Sequence, residues 1–191
     1  MNLQSFLYAR NTALPEGTDS SILWGQNYEM ALDITRGLGY LHSQRIIHRD
    51  VKLHNVVLAE KGRCRLIDFG LARKARYWKS SMEEGAKTNG GMGMQEEEFS
   101  KSVGTKLFSS PEQASSEKYD YRTDIFSLAM VIVLLFCTFT TAHQQRDLIE
   151  LIRARKLDSI CMPATLKGVL YRCLGAEHER PPLHELVLVL K

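Results

Sequence analysis

The chain has 191 residues, enough for one folded domain or at most two small ones, and too long for a disulfide-stapled miniprotein. Hydrophobic residues make up 44% and charged residues 25%, values that exclude a disordered or fibrous chain. A formal charge of +3, from 25 Lys and Arg against 22 Asp and Glu, is too small to argue for nucleic acid or an anionic membrane as partner.

At the N-terminus, Met1 to Asn11 has no uninterrupted apolar run with a small-residue cleavage site, so neither secretion nor membrane insertion is expected. From Tyr28 to Leu41, apolar residues at Met30, Ala31, Ile34, Leu38 and Leu41 follow the three-four spacing of an amphipathic helix. Val56 to Leu58 and Cys64 to Ile67 read as two short strands joined by a turn at Glu60-Lys61-Gly62-Arg63. Between Lys79 and Glu98 lie Gly85, Gly90, Gly91, Gly93 and an acidic run, with almost no aliphatic residues. That composition predicts a mobile loop. Beyond Pro111 the chain reads as helical: Thr123 to about Thr138, Gln145 to Lys156, Ala164 to Leu174, and Leu183 to Leu190 after Pro181-Pro182. The apolar run Leu128 to Cys137 is too short to span a bilayer and suits a helix buried on all sides. Cys64, Cys137, Cys161 and Cys173 form no Cys-x-x-Cys pair, which argues against zinc and reads as packing thiols in a reducing, cytoplasmic setting. His42, His54 and His178 read as surface or capping residues.

The strongest local signal is His48-Arg49-Asp50-Val51-Lys52-Leu53-His54-Asn55, followed thirteen residues after Asn55 by Asp68-Phe69-Gly70. Phosphoryl transfer needs in-line positioning, metal ions on the phosphates and an acceptor for the hydroxyl proton. A loop aspartate serves as that acceptor, and a lysine two residues on meets the negative phosphoryl group. An amide oxygen and a second carboxylate, brought together by the predicted hairpin, supply hard oxygen ligands for magnesium.

These two signatures resemble the catalytic loop and magnesium loop of protein kinases. Ser110-Pro111-Glu112 resembles the motif that closes a kinase activation segment, Asp124-Ile125-Phe126-Ser127-Leu128 the start of the buried central helix, and Arg180 the late arginine that pairs with the closing glutamate, here Glu112. The resemblance implies Asp50 as catalytic base, Lys52 as phosphate contact, Asn55 and Asp68 as magnesium ligands, and Val57 in the floor under adenine. Arg49 is expected to face the activation segment, with His48 and Phe69 as packed spine residues. ATP and Mg2+ are the implied cofactors. Lys52, Leu71 and Gly104-Thr105 follow the serine/threonine pattern, with Thr105 bridging Asp50 and Lys52. Leu53, Ala129 and Ser110 depart from commoner residues without removing a charge needed for chemistry.

Val103 to Gln113 and Asp124 to Leu128 are further similar to the kinases that phosphorylate the alpha subunit of eukaryotic translation initiation factor 2, the endoplasmic-reticulum stress branch above all. That likeness implies this subunit as partner, Leu148 to Arg153 as part of a docking helix, and Ser100 as an activating phosphorylation site whose phosphate pairs with Arg49. The expected fold is mainly α within an α+β family: a protein-kinase-like large lobe over residues 1–191, with a short β-hairpin between catalytic and magnesium loops and a mobile insert over 74–99. Neither a Gly-x-Gly-x-x-Gly loop nor a strand lysine of the Val-Ala-Ile-Lys type occurs in the sequence, so the small lobe is expected to be absent from it. Two other readings are a noncatalytic kinase-lobe binding module and a small-molecule phosphotransferase of kinase-like fold. The latter does not account for the activation segment closed by Glu112 and Arg180.

Overall fold

The computed structural model describes residues 1–75, 107–115 and 120–191. Helix α1 (Leu3–Ala13) starts where the Asn2 side chain accepts the Ser5 N–H at 2.8 Å. Helix α2 (Trp24–Ser43) runs a turn earlier than the apolar spacing indicates, because its inward position there is filled by the buried Asn27, which accepts from Arg10 at 2.7 Å. Four short strands follow: β1 (Ile46–Ile47), β2 (Val56–Leu58), β3 (Cys64–Leu66) and β4 (Arg73–Lys74).

The expected hairpin is β2 against β3, antiparallel, with Val56 opposite Leu66 and Leu58 opposite Cys64. Its turn needs left-handed backbone at Lys61 and Gly62, and glycine meets that demand without steric cost. Asp33 of α2 pins the hairpin by accepting from Arg63 Nε at 2.6 Å and from the Cys64 N–H at 3.0 Å. The second pair, β1 with β4, has Ile46 opposite Lys74 and Ile47 opposite Arg73, and Ala75 N–H continues it to the Arg45 carbonyl at 2.8 Å. Lys74 therefore belongs to a strand rather than to the insert, which corrects the expected boundary. Residues 76–99 of that insert, and Ser100 and Thr105, lie outside the described residues.

Pro111 opens the single turn α3 (Pro111–Ala114), capped by Ser110. Helix α4 (Arg122–Leu135) is the centre of the molecule: every residue from Thr123 to Leu135 is buried. It stops short of Thr138, although Phe136, Cys137 and Phe139 stay buried, so apolar composition overruns the helix end. Helix α5 (Ala142–Arg153) begins three residues earlier than expected, because Thr141 and Gln144 form a reciprocal capping box. Helices α6 (Ala164–Cys173) and α7 (Leu183–Val189) complete the shell. Helices α2, α5 and α6 pack on α4, and α1 packs on β2 and on the turn Leu53–Asn55. Each fully buried leucine of α4 contributes about 1.5–3 kcal/mol relative to exposure.

Three cysteines are packing thiols, with burial pushing Cys64, Cys137 and Cys173 up to about 12. Cys161 is exposed instead, because it sits in the connection between α5 and α6. Among the described residues no helix is long and apolar enough to cross a membrane.

Candidate active site

The route to the site starts at the first turn of α4. Asp124 is 1% exposed, and its carboxylate accepts from the His48 N–H and the Arg49 N–H, both at 2.8 Å. His42 Nε2 lies 2.9 Å from the same carboxylate. His42 is thus a buried partner of the central helix rather than a surface residue. The reason is electrostatic: a buried carboxylate must be hydrogen-bonded or paired. Arg49 holds a left-handed backbone, φ 70°, a conformation unfavourable for L-residues, and the Asp124 bonds on either side of its peptide fix it there.

His48 is fully buried. Its Nδ1 accepts the Asp50 N–H at 3.3 Å and its Nε2 lies 3.2 Å from the Ile67 carbonyl, so one imidazole spans both loops. Phe69 touches it, ring centroids 5.3 Å apart, but is 50% exposed. The expected packing of Phe69 is only half present among the described residues, since nothing covers its outer face.

Asp50, Lys52 and Asn55 are brought together. Asp50 Oδ2 accepts from Lys52 Nζ at 2.7 Å and from Asn55 Nδ2 at 2.8 Å, and the Asn55 amide also donates to the Asp50 carbonyl at 3.0 Å. Both donors use one carboxylate oxygen. Oδ1 carries no hydrogen bond from the described residues. The Asn55 carbonyl accepts the Ile67 N–H at 2.9 Å, which sets the register between the loops and delivers Asp68 to the end of β3. Asp68 is exposed, has φ 63°, and accepts the Gly70 N–H at 3.2 Å. Val57 is half-buried on β2, bridged to Asn2.

The donor chemistry fits magnesium held partly by phosphate. Asn55 spends its amide nitrogen on Asp50, which leaves its oxygen, and Asp68 offers an exposed carboxylate. No group of three His, Cys, Asp or Glu suited to a metal exists among the described residues. A magnesium ion that keeps waters and binds phosphate oxygens needs no such cage.

The segment after the undescribed stretch is tied to the site by Gln113, whose Nε2 donates to the Arg49 carbonyl at 2.8 Å. Arg180 is buried, and its two Nη atoms reach Glu112 at 2.5 and 2.9 Å while Nε donates to the Gly175 carbonyl at 3.1 Å. Burial raises the Glu112 carboxyl, but hydrogen bonds from Arg180 and Ser110 outweigh it and leave the pKa below the ordinary value. The stabilisation is therefore complete above the unfolded carboxylate pKa of about 4.3 and is lost as pH falls through the lower folded value. Urea titrations at stepped pH are expected to show a loss below pH ~4.3 that Glu112→Gln lacks. Parallel wild-type and variant curves would refute the pairing.

Sequence reasoning missed His42, Gln113 and the triple role of Asp124. The available signal was Asp124 itself, an acid in the first turn of a helix otherwise apolar on every face.

A family model described as protein kinase domain matches residues 8–172. Over 199 aligned positions the chain is 27% identical to "Probable serine/threonine-protein kinase kinX" of Dictyostelium discoideum, covering 100% of this chain and 16% of that protein. It is 27% identical over 183 residues to "eIF-2-alpha kinase GCN2" of Schizosaccharomyces pombe, covering 94% of this chain and 11% of the relative. It is 32% identical over 130 residues to a probable serine/threonine-protein kinase of Streptomyces coelicolor, covering 68% of this chain and 16% of that protein. The chain thus spans 16% or less of these relatives' lengths. Relatives so diverse share general kinase chemistry and single out no one branch.

Proposed function

This chain belongs to the protein kinase domain family, and from that premise we propose that its residues form the large lobe of a serine/threonine kinase. In this reading it transfers the γ-phosphate of ATP to a protein hydroxyl, and the protein is the alpha subunit of translation initiation factor 2. The observation that carries the proposal is the contact of Asp50, Lys52 and Asn55 in one buried loop, with Asp68 delivered beside it by the hairpin. The narrower substrate assignment rests on the likeness of Val103 to Gln113 and Leu148 to Arg153 to the initiation-factor kinases. The fission yeast relative agrees with it by name.

Asp50 Oδ1 faces the incoming hydroxyl and takes its proton as the hydroxyl oxygen bonds to the γ-phosphorus and the bridge to ADP breaks. Lys52, whose ammonium already lies against Asp50, moves its charge toward the transferring phosphoryl oxygens. Asn55 and Asp68 would hold magnesium, which supplies neutralisation of the phosphate charge when bound. Val57 gives the adenine one apolar face. A small lobe outside residues 1–191 is assigned the other face, and the exposed Ile67, Phe69 and Leu71 are the apolar surface it would cover.

The test joins this chain to a kinase small lobe and measures transfer of labelled phosphate from ATP to the alpha subunit and to a generic basic protein. Transfer to the alpha subunit is the expected result. Transfer to the generic protein alone overturns the substrate assignment, and transfer to neither overturns the kinase reading.

A further inference from the structure

We propose that Arg153, the last residue of α5, is a positioning residue for the protein substrate: it holds the backbone of Leu107 to Ser109 in place beside the catalytic loop. The proposal rests on the kinase reading above.

Leu107 is an exposed 3-10 position and residues 108–110 lie buried outside any helix or strand before α3 begins, where backbone acceptors require partners. Each finds one. Arg153 Nη1 donates to the Leu107 carbonyl at 3.0 Å and to the Ser109 carbonyl at 2.7 Å. Ser127 Oγ of α4 donates to the Phe108 carbonyl at 2.8 Å, and the Ser110 carbonyl accepts the Ala114 N–H at 2.9 Å. A single guanidinium nitrogen therefore fixes two of the four. Its other face lies over the Phe126 ring, 5.6 Å from the centroid, so the head is held from α4 as well.

The same segment continues to Gln113, which donates to the Arg49 carbonyl next to Asp50. An unbroken series of bonds thus runs from α5 through Leu107–Gln113 to the residue before the proposed base. Leu107 and Leu151 remain exposed on either side of the Arg153 contact. Because Gln113 ties this segment to the Arg49 carbonyl beside Asp50, in this proposal a polypeptide that presents its hydroxyl to Asp50 runs along this backbone, whereas the proposed nucleotide ligands Asn55, Val57 and Asp68 are not bonded to it. Arg153 accordingly acts on protein-substrate binding and not on nucleotide binding.

Hydrogen exchange on the full chain tests the positioning directly. Arg153→Met keeps an apolar stem over Phe126 but no donor, and is expected to speed exchange of the 107–115 amides about tenfold or more, with α2 and the catalytic loop unchanged. Arg153→Lys restores donors and is expected to recover most of that protection. In the chain joined to a small lobe, Arg153→Met raises the protein-substrate KM about tenfold and leaves the ATP KM unchanged. Unchanged exchange at 107–115, acceleration spread evenly over the chain, or equal movement of both KM values would overturn the proposal. If the unsubstituted joined chain transfers no phosphate, the kinase reading fails instead, and the exchange result still decides whether Arg153 holds the segment.

Discussion

Asp50→Asn in the chain joined to a small lobe is expected to slow phosphoryl transfer by about 10²–10⁴-fold, the range supplied by a positioned general base. The substitution keeps the side-chain volume and one oxygen, so Asn55 still has an acceptor for its amide. What it removes is the basic oxygen Oδ1 and the charge opposite Lys52. The ammonium, 2.7 Å from Asp50 Oδ2, then faces a neutral amide. Because the Asp50 side chain makes its bonds inside its own loop, the thermal midpoint is expected to move by only a few degrees, as for a loss of about 1 kcal/mol. Single-turnover transfer and a circular dichroism melt on the same preparation separate the two effects. Activity within tenfold of the unsubstituted protein would show that the proton goes elsewhere. Lys52→Met in the same background is expected to lose less than the product of the single effects, since the two residues act as one unit.

The parts of the molecule that a sequence displays well are those governed by short periods. The three-four spacing of α2, the apolar stretch of α4 and the β2–β3 hairpin were legible because burial on one face, or on all faces, writes itself into consecutive residues. The contact of Asp50, Lys52 and Asn55 was legible because all three lie on one loop, where residues close in sequence are also close in space. The β1–β4 pair was not. Two-residue strands have no period, and Ile46 meets Lys74 only because the chain after β3 folds back. Helix ends were misplaced where polar residues did the work: Asn27 inside the start of α2, and Thr141 with Gln144 at the cap of α5. Long-range polar contacts were the least visible. His42 and Asp124 are 82 residues apart, and neither residue's neighbours in the sequence reveal the other. The same holds for Arg153 and the Leu107 carbonyl, 46 residues apart.

The largest effect on stability is expected at Asp124. Asp124→Ala removes the buried acceptor that the His48 N–H, the Arg49 N–H and His42 Nε2 share. Each buried donor left unsatisfied costs about 1–3 kcal/mol. Relaxation absorbs part of the total, so a net loss of about 3–5 kcal/mol is expected, comparable to breaking a buried pair. That is a large fraction of the 5–15 kcal/mol by which domains are ordinarily stable. Asp124→Asn retains one acceptor and turns an NH2 toward at least one donor, so about half that loss is expected. Urea unfolding of both variants measures the difference, and a cost below about 1 kcal/mol for Asp124→Ala would refute the clamp. A second readout connects the clamp to chemistry. The left-handed backbone at Arg49 is held by the bonds to Asp124; without them the peptide relaxes toward negative φ and carries Asp50, the next residue, away from Lys52 and Asn55. At a temperature where Asp124→Asn remains folded, the catalytic-loop amides are expected to exchange faster while those of α4 beyond its first turn keep their protection. Stability and transfer would then fail together for one reason: the proposed base is placed by a carboxylate on the central helix.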